Sequence, residues 1–399
     1  MSTSLPNKRQ PAQPTSAVTD FSTFNLEPSL LPLLEAAGWR QPTPIQSATL
    51  AQALEGQDLI ALAQTGSGKT LAYALSVLTH LARTPGARAL VLSPSRETAE
   101  QVYHVFSQLC SADPQALALI VTGTPLRTQD SLLKKNPRVV VATPGRLQEL
   151  LVNNKLFLAG LQILVLDEAD RMVELGFEKQ LRFIHSTLRG RWQTLCFAAS
   201  LSPKARDLAR ALIQTPTSTP LEIATLGAGK PVLSLQQKVL FLSNAQKTFR
   251  LLDEMRKIKG GTIIFADSQE SCVKVGRLFA HHQISADFVH GDMKPGHRTR
   301  VLREFRQQKI QVLITTDLLA RGLDVPHVQN IINFDLPYKA EDFLHRIGRT
   351  ARAGRSGTAL TFVTPADGRA YRKMKTYLEG AEEEIVMAKF EFLDRHSKD

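Results

Sequence analysis

Cysteine is scarce in this chain. Its three residues among 399, Cys110, Cys196 and Cys272, stand far apart. None has the CxxC or Cys/His spacing of a redox pair or a zinc site, so a disulfide framework is excluded and buried, reduced thiols of a cytoplasmic protein are expected. No apolar run approaches the length of a membrane span. The opening "MSTSLPNKRQPAQPTSAVTD" lacks the hydrophobic core of a secretion signal, and residues 1–20 are expected to be a disordered leader. Repeats and low-complexity tracts are missing beyond that leader. Acidic residues are outnumbered, 37 against 49 basic, which leaves a net charge of +12 and calls for a polyanionic partner.

What is present is a rhythm. Short β-rich runs alternate with longer amphipathic stretches from residue 57 onward. The first half carries "DLIALA", "ARALVLS", "LALIVTG", "RVVVATP", "ILVLDE" and "QTLCFAAS". The second carries "GTIIFAD", "ISADFVH", "IQVLITTD", "VQNIINFD" and "GTALTFVT", with helix-period segments such as "QESCVKVGRLFAHH" and "HRTRVLREFRQQK" between them. Strands alternating with helices predict an α/β protein with parallel sheets built from βαβ units. The stretch "EIATLGAGKPVLS", residues 222–234, reads as a linker. It divides the chain into domains at 21–222 and 235–375, with a cleft expected between them. Residues 376–399 read as a partly acidic tail helix.

One stretch poses a problem of charge. "LVLDEAD" ends an apolar run in Asp167, Glu168 and Asp170, three carboxylates within four residues. The run reads as a strand buried on both faces, and its C-terminal end is where open α/β sheets bind ligands. Like charges this close need a cation or a chemical role to compensate them. About a hundred residues earlier, "ALAQTGSGKTLAYALSVL" places a strand, a glycine-rich turn and a helix in succession. Apart from Ala63 in place of the leading glycine, Thr65-Gly66-Ser67-Gly68-Lys69-Thr70 completes a phosphate-binding loop. Backbone N–H groups of such a turn cradle a β-phosphate; Lys69 reaches the β- and γ-phosphates and Thr70 ligates Mg²⁺. Asp167 then holds Mg²⁺ through its hydration shell, and Glu168 positions and deprotonates the attacking water. The acidic strand end faces Mg·ATP.

Together these residues resemble the DEAD-box family of ATP-dependent RNA helicases. "DEAD" is Asp167 to Asp170 itself, and the resemblance runs from Phe21 to Val363 with the family's motifs in order. It implies two tandem RecA-like domains joined by a short linker. It implies that Gln46, in "GWRQPTPIQ", hydrogen-bonds the adenine edge, that Trp39 stacks on its face and that Phe21 is the upstream aromatic. In "PSRETA", Arg96, and in "TPGR", Thr143, Gly145 and Arg146 match RNA-contacting motifs, with Gly123 in "VTGTPL". Hydroxyls, backbone N–H groups and arginines suit phosphate oxygens rather than base edges. In the second half Arg298 and Thr316 match RNA-side positions, and Asp324 a ribose contact. In "HRIGRTARAGRSG", His345 joins the catalytic set, and Arg349 and Arg352 resemble arginine fingers for the γ-phosphate, a device worth roughly 10³- to 10⁵-fold in rate elsewhere.

Three departures stand out. Pro295 replaces the family's usual glutamine near Arg298, and Ala351 replaces a common glycine. "CFAASLS" replaces the family's "FSATLS", so Ala198 lacks a hydroxyl while Ser200 keeps one. This motif couples hydrolysis to unwinding in the family, and the missing hydroxyl is expected to cost Asp170 a hydrogen bond, on the order of 0.5 to 1.5 kcal/mol. Ala198→Ser is then expected to raise the strands released per ATP.

The expected activity is RNA-stimulated ATP hydrolysis coupled to local unwinding of short duplexes or remodelling of RNA–protein complexes. Single-stranded RNA or short duplex is the expected partner, with little sequence preference, the 2′-hydroxyl distinguishing it from DNA. Because the tail lacks a basic run, a protein partner is the expected source of specificity; no membrane is involved. Two rivals stay open: an ATP-gated RNA clamp that does not unwind, and a DNA translocase.

Overall fold

The structure, a computed structural model, describes residues 20–64, 66–110, 116–153, 159–213, 220–225, 235–317, 325, 327–350, 356–378 and 383–387. Among the expected site residues, Thr65, Asp324 and Arg352 lie outside these, as do the leader up to residue 19 and linker residues 226–234. The chain splits into two compact units, Met1–Ala228 and Gly229–Asp399.

The first unit holds seven parallel strands: β1 (Leu59–Leu62), β2 (Arg88–Leu92), β3 (Leu117–Ile120), β4 (Val139–Ala142), β5 (Leu161–Leu166), β6 (Gln193–Ala198) and β7 (Leu221–Ala224). Their order across the sheet is β3-β4-β2-β5-β6-β1-β7. Successive side chains of a strand point to opposite faces, and here both faces are apolar. Along β5, Ile163 and Val165 enter one buried cluster with Leu59, Leu75 and Phe106, while Leu164 and Leu166 enter another with Leu147, Met172 and Leu208. The acidic motif therefore terminates a strand buried on both sides, as its apolar run required.

The second unit repeats the plan with β8 (Leu235–Phe241), β9 (Gly261–Phe265), β10 (Ala286–Val289), β11 (Val312–Thr315), β12 (Val328–Asn333), β13 (Gly357–Val363) and β14 (Glu383–Met387), ordered β10-β11-β9-β12-β13-β8-β14 and parallel throughout. All eleven expected runs are strands. Three strands come as additions. Leu221–Ala224, partly assigned to the linker, pairs with β1. Leu235–Phe241 follows the linker directly and sits between β13 and β14. The tail segment Glu383–Met387, expected as helix, is instead a strand on β8. Tertiary pairing decides such short segments, because β preference depends on the neighbouring strand more than on the residue itself.

Candidate functional site

Parallel strands deliver all their C-terminal ends to one edge. On the first sheet β5, β6 and β1 are successive neighbours, so the loops after them lie side by side: Asp167–Asp170, Ala199–Ser200 and Ala63–Lys69. With strands roughly 4.8 Å apart, the first and third loops are separated by about 10 Å, room for a phosphate and its cation. The loops are tied together at the backbone, where the N–H of Ala63 donates to the carbonyl of Ala198 (3.1 Å) and that of Asp167 to Leu92 (2.9 Å).

The glycine loop needs its glycines. Gly66 and Gly68 have φ of 78° and 91°, the left-handed region that side chains disfavour. A Cβ on Gly68 would also meet Gln46 Nε2 at 2.5 Å. Lys69 opens the helix Lys69–Arg83 and is buried, its Nζ donating to the carbonyls of Ala63 (2.6 Å) and Gln64 (2.8 Å). Each of these bonds can be traded for a phosphate oxygen. The Ser67 hydroxyl is buried and meets no hydrogen-bond partner among the described residues.

Gln46 is buried and already employed. Its Oε1 accepts the N–H of Thr43 (2.8 Å), closing a capping box, while its Nε2 donates to the Gly68 carbonyl (3.0 Å). An amide of this kind retains one further hydrogen and one further lone pair, enough for an adenine edge. Trp39 is half-buried against the core, and Phe21 lies inside it.

The acidic loop separates its three carboxylates. Asp167 and Asp170 are buried; Glu168 is partly exposed. Burial, reinforced by the Glu168 charge, pushes the Asp167 carboxyl up to about 7, with Lys69 and the Tyr73 hydroxyl opposing. Asp170 is pushed up to about 6, again chiefly by burial and then by Glu168. Glu168 has φ 49° and ψ 52°, and its backbone caps the helix Ala169–Glu174. A non-glycine residue in this region carries backbone strain of order 1–3 kcal/mol, which collects at functional sites. A buried carboxylate held back from ionisation beside an opposing lysine is a fitting seat for a cation. The described residues contain no cluster of three or more His, Cys, Asp or Glu side chains able to hold a metal alone. The Thr70 hydroxyl and the Asp167 carboxylate suit Mg²⁺ only together with ligands from outside the protein, such as water and phosphate oxygens.

Asp170 meets β6 through the backbone. Its Oδ2 accepts the N–H groups of Ala199 and Ser200 (both 3.1 Å), and Oδ1 that of Arg171 (3.0 Å). Asp170 thus has three main-chain donors in the absence of an Ala198 hydroxyl. Ala198 itself is fully buried.

The remaining first-unit residues lie along the same edge. Thr143 follows β4 and is buried, with its Oγ1 meeting no partner among the described residues. Gly145 and Arg146 follow it in the helix Pro144–Asn153. Arg146 turns its guanidinium inward, to Gln129 Oε1 (2.9 Å), Glu149 Oε2 (2.8 Å) and the Thr124 carbonyl, so it braces this edge from within. Arg96 spans from Glu100 (2.7 Å) to the Thr122 carbonyl (3.0 Å), and a Cβ on Gly123 (φ 88°) would meet its Nη1 at 2.4 Å. The left-handed φ favours glycine at 123, and the arginine terminus lies where a side chain would begin.

In the second unit Thr316 follows β11 and is partly exposed, as is Arg298 in the helix Pro295–Arg306. His345 and Arg349 are buried, the latter donating from Nε to the His345 carbonyl (3.2 Å). Sequence reasoning missed the part played by Arg346. It grips Asp317 with two bonds (2.5 and 2.7 Å), reaches Asn333 Oδ1 (3.3 Å) and the Asp335 carbonyl (2.6 Å), and lies 5.0 Å over the Phe265 ring. It fastens the ends of three strands. Nothing in the arginine spacing distinguished it from Arg349; the partner Asp317 was the available signal.

Comparison with known proteins agrees with this geometry. Residues 43–208 match the DEAD/DEAH box helicase family and 244–354 the helicase conserved C-terminal domain. DEAD-box ATP-dependent RNA helicase 20 of Arabidopsis thaliana is 36% identical over 376 residues, covering 92% of this chain and 74% of its own. The ATP-dependent rRNA helicase rrp3 of Aspergillus fumigatus is 37% identical over 384 residues, 93% of this chain and 80% of its own. Among solved structures, S. cerevisiae Dbp5 bound to RNA and ADP BeF3 superposes with a TM-score of 0.81 at 28% identity, covering 93% of this chain and 96% of that one.

Proposed function

The chain belongs to the DEAD/DEAH box helicase family as an ATP-dependent RNA helicase, and we propose how its residues divide that work. The observation that carries the reading is the shared sheet edge, where Lys69, Asp167 and Glu168 converge from loops of the two strands that flank β6.

Lys69 exchanges its two carbonyl bonds for the β- and γ-phosphates of ATP, and the loop's N–H groups hold the β-phosphate. Thr70 and Asp167 hold Mg²⁺, which neutralises phosphate charge when bound. Glu168 is the only carboxylate of the three that is open to solvent, so it orients the attacking water and takes its proton. Gln46 reads the adenine edge and Trp39 lies on its face, with Asp324 at the ribose. Arg349 and Arg352 stabilise charge on the γ-phosphate in the ATP-bound state. Thr143, Arg96, Gly123, Arg298 and Thr316 meet the RNA backbone, so little sequence preference is expected. Asp170, Ala198 and Ser200 couple the two reactions. No helix among the described residues is long and apolar enough to cross a membrane, and the proposed setting is the cytoplasm, with a protein partner choosing the RNA.

The test is ATP turnover with single-stranded RNA, with DNA of the same sequence, and with neither, followed by strand release from a short RNA duplex. RNA-dependent turnover with ATP-dependent release is expected. Turnover without release would instead identify a clamp, and equal stimulation by DNA would defeat the RNA assignment. Affinity for RNA should also fall with salt, with a log–log slope of about −0.7 per phosphate neutralised.

A further inference from the structure

Tyr73 has no part in the roles assigned so far. It sits in the helix Lys69–Arg83, three residues beyond Thr70 and four beyond Lys69, and therefore on their face of the helix. It is fully buried. Its ring is fixed by Phe197 of β6, 5.4 Å away and tilted by 58°, and by Phe106 at 6.3 Å. Phenylalanine would fill this apolar nest as well, so packing leaves the hydroxyl unexplained.

Helical side chains lean toward the helix N-terminus, here the end that carries Lys69 and Thr70. The Tyr73 hydroxyl meets no acceptor at standard hydrogen-bond geometry among the described residues. Thr70 and Asp167 are nonetheless side chains within its reach, and a phenol is a neutral donor near neutral pH. A buried hydroxyl without a well-aligned partner is costly unless some state of the protein satisfies it.

We propose that Tyr73 is a positioning residue for the cation site, its hydroxyl donating to one oxygen of the Asp167 carboxylate and so presenting the other, beside Thr70, to Mg²⁺. The proposal rests on the ATP-site reading above. The hydroxyl, held between two aromatic rings and unsatisfied in the metal-free protein, gains its acceptor when the carboxylate turns to the cation, so metal binding is favoured by the bond it completes.

The experiment is binding of N-methylanthraniloyl-ADP by native protein, Tyr73→Phe and Asp167→Asn, first in EDTA and then across a MgCl₂ titration. Tyr73→Phe should leave metal-free affinity unchanged and raise the MgCl₂ concentration at half-effect by about three- to tenfold, the worth of one hydrogen bond. Its thermal midpoint without nucleotide should equal or exceed the native value, since no well-formed bond is lost. An unshifted MgCl₂ midpoint in Tyr73→Phe alongside a large shift in Asp167→Asn overturns this proposal alone. No shift in either variant overturns the ATP-site reading beneath it.

Discussion

The two units bury charge in opposite ways. At the edge of the first sheet two buried carboxyls, Asp167 and Asp170, are held back from ionisation by burial and by the Glu168 charge, while Lys69 beside them also serves backbone carbonyls. In the second unit the buried charges are basic and answered in place. Arg346 is held bidentately by Asp317, and Lys247 by Asp335 at 2.6 Å with the Phe334 ring beneath it. The first arrangement suits a cation brought from outside; the second supplies its own partners. Identical folds thus serve as a receptacle and as a braced frame, and charge bookkeeping tells them apart where topology does not.

That contrast can be broken by mutation. The largest effect belongs to Glu168→Gln, which should retain ATP affinity while turnover falls by about 10²- to 10⁴-fold, measured by binding and by phosphate release. Near-native turnover would remove Glu168 from the role of base. Next is Arg346→Ala, which leaves Asp317 without its partner and should destabilise the second unit by about 3–5 kcal/mol in a denaturant titration. Nucleotide binding by the first unit should survive. Equal damage to both would mean that the frame is not confined to its own unit.

A gain in stability is expected from the receptacle. Asp167 binds its proton more tightly folded than unfolded, with a carboxyl near 7 rather than 3.8. Between those values the native state carries more protons, so nucleotide-free stability falls as pH rises. Asp167→Asn should remove that fall and stabilise the free protein by up to about 4 kcal/mol at pH 7.5, while losing the stabilisation given by ATP with Mg²⁺. A destabilised variant would show that the carboxylate is compensated after all. The smallest effect is Ala198→Ser. Because two main-chain N–H groups already serve Asp170, strands released per ATP should change by less than about twofold, against the larger rise expected from sequence alone.

Sequence reading reached the long apolar runs and the glycine loop because each imposes its own signature, period or spacing. It missed Leu221–Ala224, a mostly exposed edge strand without an alternating pattern. It took Glu383–Met387 for helix because two glutamates and three apolar residues fit either form until β8 supplies a ladder. Gln46 and Lys69 were legible as types at a spacing, whereas their internal bonds were not, because the partners are backbone groups that any sequence would offer. Arg146 illustrates the same limit: its motif marked a position, and only packing shows its guanidinium on Gln129.

The double employment of Gln46 has a consequence for how nucleotide choice can be measured. The amide expected to recognise adenine also supports the glycine loop through the Gly68 carbonyl. A carboxylate at that position has no hydrogen to donate, so Gln46→Glu would weaken the binding of every triphosphate, whatever its base. Loss of ATP affinity in such a variant would be mistaken for lost base discrimination. The clean comparison varies the ligand and leaves the protein intact: inorganic triphosphate reports the loop alone, ATP reports loop and base together, and their ratio isolates the purine.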